Sequence, residues 1–119
     1  MGKSIIYDKS FAFSVRIVNL YKQISETKRE FVLSKQLLRS GTAVGALVRE
    51  SQNAESLKDF IHKLSIAQKE CGEVQYWLEL MKETTYITEE EFESLYIEVS
   101  ELHRMISSAI ITSKKKIPV

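Results

Sequence analysis

From Leu57 to Met81 the chain places apolar residues three and four apart without interruption: Leu57, Phe60/Ile61, Leu64, Ala67, Cys71, Val74, Leu78 and Met81. A strand would send these side chains to alternate faces, whereas a helix gathers them into one stripe. A stripe sustained over three heptads is a bundle seam, and only other helices can bury it. The remaining sequence supplies those helices. One proline, Pro118, and four glycines leave almost none of the breakers that hairpins and sheets require. The expected fold class is therefore all-α.

The seam helix spans about 56–84. A first helix, about 8–26, carries Phe11, Val15, Val18 and Tyr21 on one side, with Ile17, Leu20 and Ile24 widening the apolar face. A second, about 31–52, repeats Leu37, Leu38, Gly41, Val44, Gly45 and Val48 in helical spacing. A fourth, about 88–113, runs through Phe92, Leu95/Tyr96, Val99, Leu102, Met105/Ile106, Ala109 and Ile110. The polar stretches "SETKRE", "NAES" and "ETTYIT" read as connections. Ser56 followed by Asp59, and Thr88 followed by Glu91, have the spacing of helix N-caps, the second that of a capping box. Lys114, Lys115 and Lys116 open a basic tail, 114–119. Four amphipathic helices with short connections predict an up-down-up-down four-helix bundle, a single domain over residues 1–119.

Length and composition agree with that expectation. A chain of 119 residues with 44% hydrophobic content suffices for one core. No apolar run approaches the ~20 residues that span a bilayer, and "MGKSIIYDKSFAFSV" lacks the apolar region and cleavage site of a secretory signal. The single cysteine, Cys71, leaves no intramolecular disulfide. The expected location is cytoplasmic, with no membrane partner.

Two glycines need a reason. In "QLLRSGTAVGALVRESQ", Gly41 and Gly45 lie one turn apart on the second helix, where each interior glycine costs about 1 kcal/mol relative to alanine. A phosphate-binding loop would need a Lys-Ser/Thr pair and a preceding strand, neither of which is present. Close helix packing is the remaining account: a neighbouring backbone or a large side chain comes close, with a bulky partner such as Trp77 or Tyr76, from this chain or another, as a candidate to fill the groove. Tyr76, Trp77 and Leu80 fall off the seam of the third helix, and an uncovered strip there would serve as an oligomer surface.

No catalytic, cofactor or metal site is assigned. Asp59-x-x-His62 is half of a di-iron pattern, and His103 has Ser100 at the corresponding spacing. Cys71 lies on the seam, as a small buried hydrophobe would. Glu70 and Glu73 flank it, and pairing with Arg39 or Arg49 would fix helix register. Residues 1–50 carry nine Lys and Arg against four Asp and Glu, a net of +5; residues 51–119 carry eight against twelve, a net of −4. The two halves can attract each other as packed helices. Alternatively, Arg16, Lys22, Lys28, Arg29, Lys35, Arg39, Arg49 and Lys114–Lys116 are candidate contacts to a nucleic-acid backbone.

Residues 36–78, "QLLRSGTAVGALVRESQNAESLKDFIHKLSIAQKECGEVQYWL", resemble the central signature of a bacterial four-helix-bundle family, the 23S ribosomal RNA intervening-sequence proteins. The resemblance rests on Gln36 to Thr42, Arg49-Glu50, Asp59-Phe60-Ile61, Ile66-Ala67, Lys69-Glu70, Glu73 and Tyr76-Trp77-Leu78. Relatives in this family form pentameric barrels. The similar accessory variability determinant of diversity-generating retroelements is a basic pentamer that binds reverse transcriptase and nucleic acid. The resemblance thus implies a homopentamer with a scaffold or RNA-associated role, and no catalysis. Leu47 departs from the pattern, standing where members usually have Asn, and this chain is less basic than the retroelement protein. The expected function is a non-enzymatic oligomeric scaffold or binding protein with self, RNA or a nucleic-acid-processing protein as partner. A protein–protein interaction module without nucleic-acid binding is the alternative. A bundle enzyme or ligand carrier is a third reading, and would require a bound metal or small molecule.

Overall fold

The computed structural model describes residues 4–118 and contains four helices and, among those residues, no strand: α1 (Ile5–Thr27), α2 (Leu33–Gln52), α3 (Leu57–Glu83) and α4 (Glu89–Lys114). Each start has a local cause. The Ser4 side chain accepts from the Tyr7 amide, so α1 begins three residues earlier than the apolar pattern alone suggests. Ser56 accepts from the Asp59 amide to start α3. At α4 the capping box is complete: Thr88 Oγ1 accepts from the Glu91 amide at 3.0 Å, and Glu91 accepts from the Thr88 amide at 2.8 Å. These contacts satisfy amide donors that a helix leaves free at its first turn.

The start of α2 has no such side chain at its N-cap, Val32. Instead the Glu30 carboxylate accepts from the amides of Val32, Leu33 and Ser34 at 2.8–2.9 Å. Burial alone would push this carboxyl up, but the three backbone donors and the Ser34 hydroxyl together hold it below its ordinary value. The polar stretch 25–30 is thus divided: 25–27 finish α1 and Glu30 caps α2. The chain reverses through left-handed backbone at Arg29 (φ 54°) and Thr85 (φ 62°). After α3, Tyr86 N–H donates to Met81 O at 2.9 Å and Thr85 N–H to Lys82 O at 3.0 Å. That pair of bonds is a Schellman closure, with threonine where glycine is usual.

Successive helices run antiparallel around one core, 52 × 24 × 22 Å in extent. The α3 stripe behaves as its spacing dictates: Ile61, Leu64, Ala67, Cys71, Val74, Leu78 and Met81 are all buried. They meet Leu37, Val44 and Val48 from α2 and Leu95, Val99, Leu102, Ile106 and Ile110 from α4. α1 differs from the expectation. Phe11 and Val15 are exposed, while Ser10, Phe13, Ile17, Leu20 and Ile24 turn inward. The helix is apolar around most of its girth, so two registers are compatible with its sequence. The one adopted puts Ile17 against α2 and hides a serine that reads as polar.

Buried serines elsewhere serve the same close packing. Ser10, Ser34, Ser40 and Ser51 each donate to a carbonyl three or four residues earlier in the chain. Their hydroxyls are thereby satisfied at little volume.

Candidate interaction surfaces

The two glycines of α2 face α1. A Cβ on Gly41 would stand 2.9 Å from both Cγ1 and Cγ2 of Ile17, and one on Gly45 would stand 2.9 Å from Ser14 Oγ and 3.1 Å from the Ser10 carbonyl oxygen. Their role is the close approach of two helices. The side chain that fills the space is Ile17, with the α1 backbone beside it, rather than Trp77 or Tyr76. α1 reaches Gly41 and Gly45 because Ser10 and Ser14 are themselves small, and Ser14 folds its hydroxyl back to the Ser10 carbonyl at 3.1 Å.

Trp77 is half-buried against the core, edge-on to the exposed ring of Tyr76 with centroids 4.9 Å apart. Its indole Nε1 is buried and, among the described residues, has no hydrogen-bond partner. Leu47 is half-buried and packs on the same core.

The basic candidates fall into three groups. Arg16 and Arg39 are engaged internally: Arg16 pairs with Glu98 and donates to Ser94 across to α4, and Arg39 bridges Glu70 and Glu73 of α3 at 3.2 and 2.6 Å. The second pair is the register-fixing contact that the sequence suggests, and the two carboxylates hold the guanidinium further into its charged form. Arg49 does not join them. It lies over the Tyr7 and Phe11 rings, 4.7 and 5.7 Å from their centroids, as a planar cation does on an aromatic face. The third group is exposed. Lys22, Lys28, Arg29 and Lys35 surround the α1–α2 junction, and Lys114–Lys116 close α4 at the opposite end of the bundle. Antiparallel packing therefore separates the exposed cations into two end clusters.

Arg49, Tyr7 and Phe11 form the wall of an open groove between α1 and α2, about 420 Å³ in volume, whose floor includes Ser14, Thr42, Gly45 and Ala46. The sequence points to Phe11 as core. Phe11 is exposed instead, and the signal for this is the small-residue pair Ser10 and Ser14, which marks the packing side of α1.

On the seam, burial pushes the Cys71 thiol up to about 12, with Glu70 adding to the effect, so at neutral pH it stays a protonated, apolar-facing group. His62 is exposed on the outside of α3. Among the described residues no three His, Cys, Asp or Glu side chains gather as a metal site, and no helix is long and apolar enough to cross a membrane.

Comparison with known proteins agrees with this architecture. A crystal structure of a protein of unknown function from the S23 ribosomal protein family of Bacteroides thetaiotaomicron is 51% identical and superposes with a TM-score of 0.88, covering 89% of this chain and 98% of that one. No functionally curated protein matches the chain. A family model described as the 23S rRNA-intervening sequence protein matches residues 2–108. Coverage of nearly the whole chain by that model, with the four-helix geometry and the solved relative, establishes that this chain belongs to the 23S rRNA-intervening sequence protein family.

Proposed function

We propose that the chain is a non-enzymatic scaffold that assembles with copies of itself, as a homopentamer, and associates with RNA through its exposed cations. One observation carries the assembly reading. The core is complete within one chain, yet large apolar side chains remain outside it on two faces: Phe11 at 56% exposure and Val15 at 45% on α1, Tyr76 at 58% on α3 and Ile97 at 68% on α4. An isolated exposed hydrophobe needs no explanation, but paired ones on separate faces suit a protein whose surface is covered by neighbours.

The RNA reading rests on the third group of cations. Internal pairing withdraws Arg16 and Arg39 from phosphate contact, and Arg49 is held over its rings. Lys28 and Arg29 at one end and Lys114–Lys116 at the other stay exposed. A ring of several copies would repeat each cluster around its rim, and such repetition multiplies weak phosphate contacts. The experiment is binding of nuclease-treated protein to structured ribosomal RNA fragments across a salt series. The reading predicts binding that weakens steeply with salt and drops when Lys114, Lys115 and Lys116 are changed together to Gln, while the assembly mass stays constant. No binding at low salt would leave the protein–protein module as the function.

A further inference from the structure

Gly72 is an interior glycine that nothing inside the chain explains. Gly41 and Gly45 let α1 approach, but a Cβ on Gly72 would meet nothing within 4 Å, and a glycine inside a helix weakens it. Its place on α3 supplies a reason outside the chain. Gln68 donates to Ser107 at 2.8 Å and Gln75 donates to Ser100 at 3.2 Å, two rungs of a side-chain ladder that joins α3 to α4. Gly72 lies four residues after Gln68 and three before Gln75, and His103 lies four before Ser107 and three after Ser100. The rung between the two is therefore Gly72 against His103. It is a notch without a side chain, beside an imidazole that is half-buried and, among the described residues, makes no hydrogen bond or ion pair.

Resting on the RNA association proposed above, we infer that this notch heads the face on which RNA docks. That face is the half of the outer α3–α4 surface running from Gly72 down to the α2–α3 turn and the end of α4, and it holds the phosphodiester backbone without reading the bases. Lys58 and Lys69 stand eleven residues apart on α3, three helical turns, and share its outward side with Gly72. Arg104 and Lys115 stand at the same separation on α4. All four are exposed, and among the described residues none is in an ion pair. The ladder sets Arg104 level with the notch and Lys69 within a turn of it. Lys58 and Lys115 form a second tier about 16 Å below. Tiers so far apart cannot close on one small anion, but they suit successive phosphates of a chain. The 114–116 cluster is the lower end of this row.

The carboxylates of this half are turned elsewhere. Glu70 is held by Arg39 of α2, Glu101 by Lys9 of α1, and Asp59 accepts from the Glu55 amide at the α2–α3 turn. Glu55 itself sits in that turn, below the row. In the other half of the same surface Glu79, Glu83, Glu90 and Glu93 are exposed. A polyanion is therefore attracted below Tyr76 and Ile97 and repelled above them, and these two apolar residues are left to the self-assembly contact. Lysine, arginine and histidine donate to phosphate oxygens, and the row offers no aromatic ring on which a base would stack, so binding is independent of sequence.

The test is fluorescence anisotropy of labelled oligouridylate and oligoadenylate, each of about a dozen nucleotides, with the nuclease-treated full-length chain across a salt series. Sedimentation mass and circular dichroism are recorded for each variant. The wild type should bind both oligonucleotides within about twofold of each other. Lys69→Gln with Arg104→Gln should weaken binding on the order of tenfold and lower the log–log salt slope by about 1.4, two phosphate contacts on a single strand. Gly72→Leu keeps every charge and has open space for its side chain, and it should weaken binding severalfold by filling the notch. A wild type that binds neither oligonucleotide at low salt overturns the RNA reading itself. A wild type that binds, with both variants equal to it, overturns the face alone. Loss of binding together with loss of assembly would place these cations in the subunit contact and also overturn the face. Preference for one oligonucleotide by more than about tenfold overturns backbone-only recognition. Polyglutamate that displaces the label as well as unlabelled RNA does overturns the RNA assignment in favour of an acidic protein.

Discussion

Alanine at Gly41 tests the packing account in a way that helix propensity alone cannot mimic. Propensity favours the change by about 1 kcal/mol. Against it, the new methyl would lie 2.9 Å from two γ-carbons of Ile17 and 3.3 Å from its Cβ. Ile17 is wholly buried and branched at Cβ, so it cannot swing aside, and α1 and α2 must separate by some tenths of an ångström. Overpacking of this kind costs roughly 1–3 kcal/mol, which leaves a net loss of about 1 kcal/mol, or roughly 4 °C in melting temperature. Gly72 provides the control, since a Cβ there meets nothing within 4 Å on the exposed side of α3. Gly72→Ala should therefore stabilise by up to about 1 kcal/mol. In an Ile17→Ala background, where the two clashing γ-carbons are gone, Gly41→Ala should also turn stabilising. The assay is urea unfolding followed by circular dichroism. A Gly41→Ala chain that gains stability as Gly72→Ala does would refute the close-approach argument.

Three further predictions follow from single contacts. Glu30 has a lowered pKa in the fold, so its contribution is present at neutral pH and is lost as pH falls below about 4.3 through its depressed value; Glu30→Gln should lower the urea midpoint at pH 7 and shrink the difference between pH 7 and pH 3. Thr85 holds left-handed backbone that a β-branched residue adopts only at a cost, so Thr85→Gly should stabilise by roughly 0.5–1 kcal/mol in thermal melts, and a lower melting temperature would count against the Schellman closure. The buried Cys71 thiol, pushed up to about 12, should react with a thiol reagent at pH 8 only as fast as the bundle opens. Its labelling rate should climb with urea in the pretransition range, and immediate labelling in buffer would show that the seam is open.

Legibility in the sequence varied with how sharply each helix is two-faced. The seams of α3 and α4 were legible, because their buried residues recur three and four apart and Thr88 with Glu91 marks the start of α4; the off-seam Trp77, which packs on the core, was not. α1 was not legible, because apolar residues occupy most of its circumference and the inward register is marked by Ser10, a residue that pattern reading assigns to solvent. The choice is tertiary: only that register brings Ile17 over Gly41. The glycines were readable as a packing device, but not their partner, since nothing local to α2 says whether α1 or α3 approaches it more closely. Glu30 was also hidden, because a carboxylate that caps from before the N-cap has no fixed spacing to search for. Among the cations, sequence alone could not separate Arg39, fixed between Glu70 and Glu73, from Lys22 or Lys35, because pairing depends on which helices become neighbours.

Self-assembly is the claim on which the proposed function depends. Sedimentation equilibrium of the purified, nuclease-treated chain over a range of concentrations and salt tests it most directly. The account predicts a species of five times the 13.7 kDa chain mass that persists across the salt range. A single species at 13.7 kDa across the whole range would contradict it.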